Sequence, residues 1–286
     1  GMHFAVLGAG PMGRDIAHVC AVAGHEVTLR DVDESVLGEA RDHVASNLDG
    51  SVEREKLTKV ERDAALDRLT TTTDLDALAG AELAVEAVPE DIDLKHAVLS
   101  EVDPVLDDDA LVGTNTSSLS VTSVMDCLDD PSRGVGLHFF NPAYIMGLVE
   151  VVLGERTSEG AREQAESFVA DVGKEAVTVT DTPGFASSRL GVALGWEAMR
   201  MVESGVADPA DIDAAMELGY RHPMGPLELT DVVGLDVRLD ILEYLREELG
   251  ERFKPPQVLK RKVRAGKLGK KRGEGFYVWE DGEPVK

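Results

Sequence analysis

Cysteine is nearly absent from this chain: Cys20 and Cys127 are the only two, and neither belongs to a CxxC pair. That excludes a disulfide framework and a thiolate metal site. Both lie in apolar, helix-like surroundings, so they read as buried thiols of a reducing cytoplasm. Long hydrophobic runs are also missing, which excludes a membrane-spanning helix, although hydrophobic residues at 43% can fill a globular core. No secretory signal, internal repeat or low-complexity segment shows, and Gly1 ahead of Met2 reads as a cloning remnant. Basic residues are scarce: 29 Lys and Arg face 54 Asp and Glu, a net charge of −25. Nine of the basic residues fall between Lys254 and Arg272, a stretch without an acid. Lysine is otherwise confined to Lys56, Lys59, Lys95, Lys174 and Lys286. Phosphate repulsion argues against nucleic acid as a partner. An acidic, lysine-poor surface is the pattern expected of a protein adapted to high salt.

At 286 residues the chain has room for two domains of ordinary size. His3 to Leu7 reads as a short apolar strand, followed at once by Gly8-Ala9-Gly10-Pro11-Met12-Gly13 and a helix from Met12 to Ala23. A second strand, Glu26 to Arg30, ends at Asp31. A glycine pattern alone says little, but between a strand and a helix, with an acid closing the next strand, it fits a dinucleotide site. Gly8 would allow the tight turn, Gly10 the approach of a pyrophosphate, and Gly13 the packing of helix on strand. The helix N-terminus offers N–H groups and a positive dipole end to the anion. Asp31 would accept hydrogen bonds from an adenosine ribose and repel a 2′-phosphate, which favours NAD over NADP. Arg30 is a mild signal the other way.

Asp33 to Leu69 reads as a helix and then a charged helical hairpin around Gly50, too polar for the core. Strands recur at Leu83–Val88, Ala110–Thr114 and Gly134–Phe140, with helices between them. Such alternation predicts an α/β fold with a mostly parallel sheet covered on both faces, and ligands gathered at the carboxyl ends of its strands. Pro89-Glu90, Asn115-Thr-Ser-Ser118 and His138-Phe-Phe-Asn141 all follow such ends. One of Ser117 and Ser118 is expected to cap the next helix.

His138 and Glu150 are each a lone polar residue in an apolar strand, Gly134–Phe140 and Leu148–Leu153. A carboxylate in such a run is costly to bury unless it is paired. Together the two make a general base with a partner that fixes its tautomer and offsets its charge. A satisfied core histidine beside a rim carboxylate is the alternative reading of the same residues.

Ser158 to Val172 reads as an amphipathic helix and Glu175–Thr180 as a closing strand. Thr182-Pro-Gly184 marks a break. Beyond it the pattern is helical: Phe185–Glu203, Ile212–Leu218, Leu227–Leu249 broken near Gly234, and Val258–Arg264. Asp208-Pro209 has the form of a helix start, and Gly219 that of a helix end. The expected organisation is a Rossmann-type nucleotide-binding domain over residues 2–181 and an all-helical domain over residues 182–286. The basic stretch is either a solvated helix and tail or a cationic strip facing an anionic ligand.

Taken together, Gly8-Ala-Gly-Pro-Met-Gly13, Val85-Glu-Ala-Val-Pro-Glu90, Asn115-Thr-Ser-Ser-Leu119, Gly136-Leu-His-Phe-Phe-Asn-Pro142, Leu148-Val-Glu-Val-Val152, Asp181-Thr-Pro-Gly-Phe185, Pro223-Met-Gly-Pro226 and Gly269-Lys-Lys-Arg-Gly-Glu-Gly-Phe-Tyr277 run in one order over nearly the whole chain. In this the sequence resembles the L-3-hydroxyacyl-CoA dehydrogenase family, and within it the 3-hydroxybutyryl-CoA dehydrogenases. The resemblance implies a catalytic pair, His138 and Glu150, with Ser117 touching an acyl-CoA substrate. It sets NAD against the glycine loop, Asp31, Glu90, Lys95, Ser117, Asn141 and Lys271. It implies a homodimer formed by the C-terminal helices, and a CoA grip in the hairpin after Asn47, with Arg54 and Lys56 as its cations.

There are two departures. Ser188 stands where family members usually carry an asparagine close to the reacting carbonyl, so it is taken as a substrate-binding position. Gly147 replaces a residue that is commonly lysine. Two other readings stay open: a dehydrogenase of a free hydroxy acid, as in the gulonate and carnitine relatives, and a catalytically silent NAD-binding protein.

Overall fold

The computed structural model describes residues Gly1–Lys286, which divide into two compact units, Gly1–Thr182 and Pro183–Lys286. The first unit runs β1 (His3–Leu7), α1 (Pro11–Val22), β2 (Glu26–Arg30), α2 (Glu34–Glu53), α3 (Lys59–Arg68), β3 (Leu69–Thr72), β4 (Leu83–Glu86), α4 (Ile92–Val102), β5 (Leu111–Thr114), α5 (Val121–Met125), β6 (Gly134–Phe139), β7 (Leu148–Leu153), α6 (Glu159–Asp171) and β8 (Glu175–Thr180). The strands form one eight-stranded sheet in the order β3-β2-β1-β4-β5-β6-β7-β8. Every neighbouring pair is parallel except β6 and β7. This is the mostly parallel Rossmann-type sheet expected of the alternating pattern. Its inner strands are apolar because helices cover both faces; Ala5, Val6, Leu7, Leu29, Val85, Val112, Leu137 and Val151 are all buried.

Three local expectations change. Gly50 lies inside α2, and the turn falls after it, where Glu55 takes a positive φ of 56°. A glycine inside a helix costs only about 1 kcal/mol, and a capping box closed by Thr58 and Glu61 marks the true start of α3. Nor is this segment wholly outside the core: α2 buries Leu37, Ala40, Val44 and Leu48, whereas α3 buries Ala65 alone. The edge strand β3, sequence Leu-Thr-Thr-Thr, escaped the pattern because only its first residue is apolar and buried. Finally, α5 is capped by Ser120 rather than Ser117 or Ser118. Its first turn also feeds Asp181, whose carboxylate accepts the Val121 and Thr122 N–H groups and both nearby hydroxyls.

The second unit contains α7 (Ser187–Glu203), α8 (Pro209–Gly219), α9 (Pro226–Val233), α10 (Leu235–Leu249) and α11 (Gln257–Arg264), then a two-residue hairpin, β9 (Trp279–Glu280) with β10 (Glu283–Pro284). The hairpin is the one departure from an all-helical unit. Gly219 falls inside α8, and Tyr220 ends it. The core gathers Val192, Met199, Ile212, Leu227, Leu235, Leu242 and Leu259. Two buried carboxylates tie the last segment to it. Asp231 accepts from the Phe276 and Tyr277 N–H groups and from Trp279 Nε1. Asp213 accepts from the start of α9 and from the Tyr277 hydroxyl.

Candidate active site

At the carboxyl end of β1 the chain turns through Gly8, at φ 95°, a conformation L side chains rarely adopt. A Cβ on Gly13 would fall 1.7 Å from the Gly8 carbonyl oxygen, so only glycine lets α1 lie this close to β1. A Cβ on Gly10 would meet nothing within 4 Å. Gly10 is the N-cap of α1, with Pro11 at the first helical position and no side chain capping the end. Ala9 and Met12 complete the loop. An uncapped helix end beside an open glycine fits a diphosphate, which the free N–H groups and the helix dipole would bind.

Asp31 stands across from this loop, its Oδ2 accepting the Ala9 N–H at 2.9 Å and its Oδ1 the Asp33 N–H at 3.1 Å. Each oxygen keeps lone-pair capacity for a ribose hydroxyl. Arg30 is buried, and its Nε donates to the Thr73 carbonyl at 3.3 Å, so it is directed at the β3 side rather than held ready for a 2′-phosphate.

Glu90 follows β4. Its carboxylate accepts from the Thr116 hydroxyl at 2.6 Å and from the Ser117 N–H and hydroxyl at 2.9 and 3.1 Å. Burial opposes its charge, but the Thr116 and Ser117 hydrogen bonds and the Lys95 charge outweigh that and hold the carboxyl below its ordinary range. Lys95 is 2% exposed. Its ammonium donates to Glu86 at 2.6 Å and to the Val88 carbonyl at 3.0 Å, and lies 3.7 Å from Glu90. Lys95 therefore braces the carboxyl end of β4. Glu86, which also accepts from Thr114 at 2.6 Å, is a residue the motif reading passed over. The signal was there: it is the lone acid of an apolar strand, Leu-Ala-Val-Glu.

Because β6 and β7 are antiparallel, His138 and Glu150 stand directly opposite each other in register. Cross-strand neighbours lie within side-chain reach, and His138 Nδ1 meets Glu150 Oε1 at 3.0 Å. Glu150 is 1% exposed and His138 6%. With Nδ1 against the carboxylate, Nε2 is the nitrogen that would exchange a proton. Phe140 packs on the imidazole at 4.6 Å between ring centroids. Asn115 accepts the Phe139 N–H at 2.8 Å and so ties the end of β5 to β6. Asn141 is exposed just past β6. All these residues gather at the carboxyl edge of the first unit's sheet, where doubly wound folds bind their ligands.

Of the remaining predicted residues, Arg54 is exposed at the C-terminus of α2, between Glu53 and Glu55. Lys271, in the second unit, pairs with Asp236 at 2.6 Å. Ser188 is half-buried in the first turn of α7.

A nucleotide cradle and a carboxylate-braced histidine on one sheet edge define an NAD-dependent oxidoreductase. Residues 3–182 match the profile of the 3-hydroxyacyl-CoA dehydrogenase NAD binding domain, and residues 184–279 that of the 3-hydroxyacyl-CoA dehydrogenase C-terminal domain. The chain is 43% identical over 277 residues to a 3-hydroxybutyryl-CoA dehydrogenase of Mycobacterium tuberculosis, covering 96% of this chain and 97% of that one. It is 41% identical to a 3-hydroxyadipyl-CoA dehydrogenase of Escherichia coli, over 96% of this chain and 58% of that longer one. The crystal structure of (S)-3-hydroxybutyryl-CoA dehydrogenase from Ralstonia eutropha superposes with a TM-score of 0.94 at 36% identity, covering 98% and 99% of the two chains. The protein belongs to the 3-hydroxyacyl-CoA dehydrogenase family, and its cofactor is NAD.

Proposed function

We propose that the protein interconverts (S)-3-hydroxyacyl-CoA and 3-oxoacyl-CoA, with His138 as general acid and base. The observation that carries this reading is the buried His138–Glu150 pair, at 3.0 Å, on the same sheet edge as the glycine loop. NAD, when bound, accepts the hydride from C3 or returns it. His138 Nε2 takes the hydroxyl proton as C3 becomes a carbonyl and gives it back in reduction. Glu150 holds the ring tautomer and offsets the imidazolium charge. Ser117, anchored on Glu90, touches the substrate, and Ser188 acts as a hydrogen-bond donor toward the reacting oxygen. Glu90 and Lys95 fix the loops around the cofactor, Asn141 and Lys271 contact it, and Arg54 meets the anionic CoA. The working form in this reading is a homodimer joined through its C-terminal helices, in a reducing cytoplasm that keeps Cys20 a thiol.

The test is reduction of acetoacetyl-CoA by NADH in molar KCl. Wild type turns over, and His138→Gln lowers kcat by roughly 10²–10⁴ while NADH affinity holds. A His138→Gln enzyme of near-full activity rejects the mechanism. Activity on a free hydroxy acid but not on its CoA thioester moves the assignment to the free-acid relatives.

A further inference from the structure

Glu86 closes β4 and is fully buried, at 0% exposure. Its carboxylate has no oxygen to spare. Oε1 accepts from the Lys95 ammonium at 2.6 Å and from the Val88 N–H at 2.8 Å, and Oε2 from the Thr114 hydroxyl at 2.6 Å. Its backbone serves the next strand as well: the Glu86 carbonyl accepts the Asn115 N–H at 2.8 Å, and Asn115 in turn holds the Phe139 N–H beside His138. A side chain so enclosed meets neither cofactor nor substrate. Whatever it does for the reaction, it does through Lys95 and Thr114.

Those two lead to Glu90 and Ser117 by separate routes. The Thr114 hydroxyl, its proton given to Glu86, accepts the Thr116 N–H at 3.2 Å. The Thr116 hydroxyl donates to Glu90, which also holds the Ser117 N–H and hydroxyl. The second route is electrostatic. An ammonium has three N–H groups, and Lys95 spends two of them on Glu86 and on the Val88 carbonyl. The other carboxylate within 4 Å of it is Glu90, at 3.7 Å. One buried cation thus stands between two anions and bonds to the deeper one. Glu90 is left to the hydroxyls and the N–H of Thr116 and Ser117. Attraction between opposite charges away from water is strong, so this division depends on a charge at position 86.

We infer that Glu86 is a positioning residue for the reaction: by holding the Lys95 ammonium it keeps that charge off Glu90, and so leaves Glu90 to set Ser117. Without a charge at position 86, the ammonium has Glu90 as its remaining carboxylate and closes the 3.7 Å separation. Glu90, drawn toward it, gives up the Ser117 hydroxyl. The inference rests on the proposed function, in which Ser117 touches the substrate.

Two replacements separate charge from shape. Glu86→Gln keeps the shape and loses the charge, whereas Glu86→Asp keeps the charge on a shorter side chain. Glu86→Gln raises KM for acetoacetyl-CoA by roughly tenfold and Glu86→Asp by no more than about threefold, with kcat in both within about threefold of wild type. A carboxylate that only fills and ties the end of β4 gives the reverse order, Gln milder than Asp, and that order overturns the inference. Lys95→Met supplies a second arm. Because the loss of charge acts through the ammonium, adding Glu86→Gln to Lys95→Met changes KM by less than about twofold. An undiminished effect of Glu86→Gln on that background overturns the inference. This arm stands even where Glu86→Gln alone does not fold, since the double variant buries no unpaired charge. Wild type separates the two levels: no turnover of acetoacetyl-CoA rejects the parent reading and this one with it, whereas turnover with KM unmoved in Glu86→Gln rejects only the role of Glu86.

Discussion

Asp31 has two carboxylate oxygens, and each already holds a backbone N–H, from Ala9 and from Asp33. Those bonds fix where its charge sits, opposite the glycine loop. A 2′-phosphate brought there would face a carboxylate that cannot swing away, and Arg30 is occupied with the Thr73 carbonyl. NADH should therefore exceed NADPH in kcat/KM by roughly 10²-fold, a difference of about 2.7 kcal/mol, and Asp31→Ser should narrow the gap. Comparable wild-type values for the two cofactors would sink the assignment. The residues legible beforehand were those whose chemistry conflicts with their surroundings. His138, Glu150 and Asp31 each interrupt or end an apolar strand, and such a residue must find a partner or a ligand. Glu86 had the same signature but no motif to lend it a role. Arg238 had none: in Leu-Asp-Val-Arg-Leu-Asp an arginine between acids reads as solvated, and only its burial on folding makes it unusual.

Among the elements, α1 concentrates the most tension between sequence and environment. It carries Asp15 and His18 on a face that folding buries, at 4% and 6% exposure. His18 stacks on Tyr144 at 5.3 Å, and its Nδ1 has no hydrogen-bond partner in the chain. Burial, with help from the charges of His43 and Lys174, lowers its pKa from 6.5 to about 4. The unfolded imidazole takes up a proton as pH drops below about 6.5, whereas the folded one resists until about pH 4. Unfolding then binds a proton across that window, so stability falls as pH is lowered through it. The size is on the order of 3 kcal/mol when fully developed. Asp15, raised chiefly by burial, works in the opposite sense, because its folded form keeps a proton that the unfolded form releases. Urea titrations at about pH 7 and about pH 4.5, either side of most of that window, should show the loss. His18→Phe, which keeps the stack on Tyr144, should reduce it by most of that amount. An equal acid loss in His18→Phe would mean that other groups govern this limb. Helices and strands with a clear hydrophobic period were readable to within about three residues. The edge strand β3 and the turn after α2 were not, because their positions are set by pairing with β2 and by the Thr58–Glu61 box rather than by apolar spacing.

Over the molecule as a whole, charge outweighs every other feature of the surface. A net of −25 on 286 residues leaves most carboxylates without a cation. Many of the cations are committed to exposed pairs such as Arg162–Glu166, Arg246–Glu251 and Lys267–Glu274. Salt acts on both populations. It weakens those pairs, each worth about 0–1 kcal/mol, and it relieves repulsion among the many unpaired acids. The screening length shrinks from about 10 Å at 0.1 M to about 3 Å at 1 M, so most of the long-range repulsion is gone by molar salt. Because the acids outnumber the bases by 54 to 29, the relief should outweigh the loss. Tm is expected to climb between about 0.05 and 1 M KCl and then level off, the plateau distinguishing screening from the continuing rise that salt exclusion from the surface would give. Neutral sucrose at equal osmolality should not reproduce the early climb. A Tm that stays flat or declines over the first molar of KCl would reject salt adaptation, and would mean the acidic residues are spaced widely enough for water alone to keep them apart.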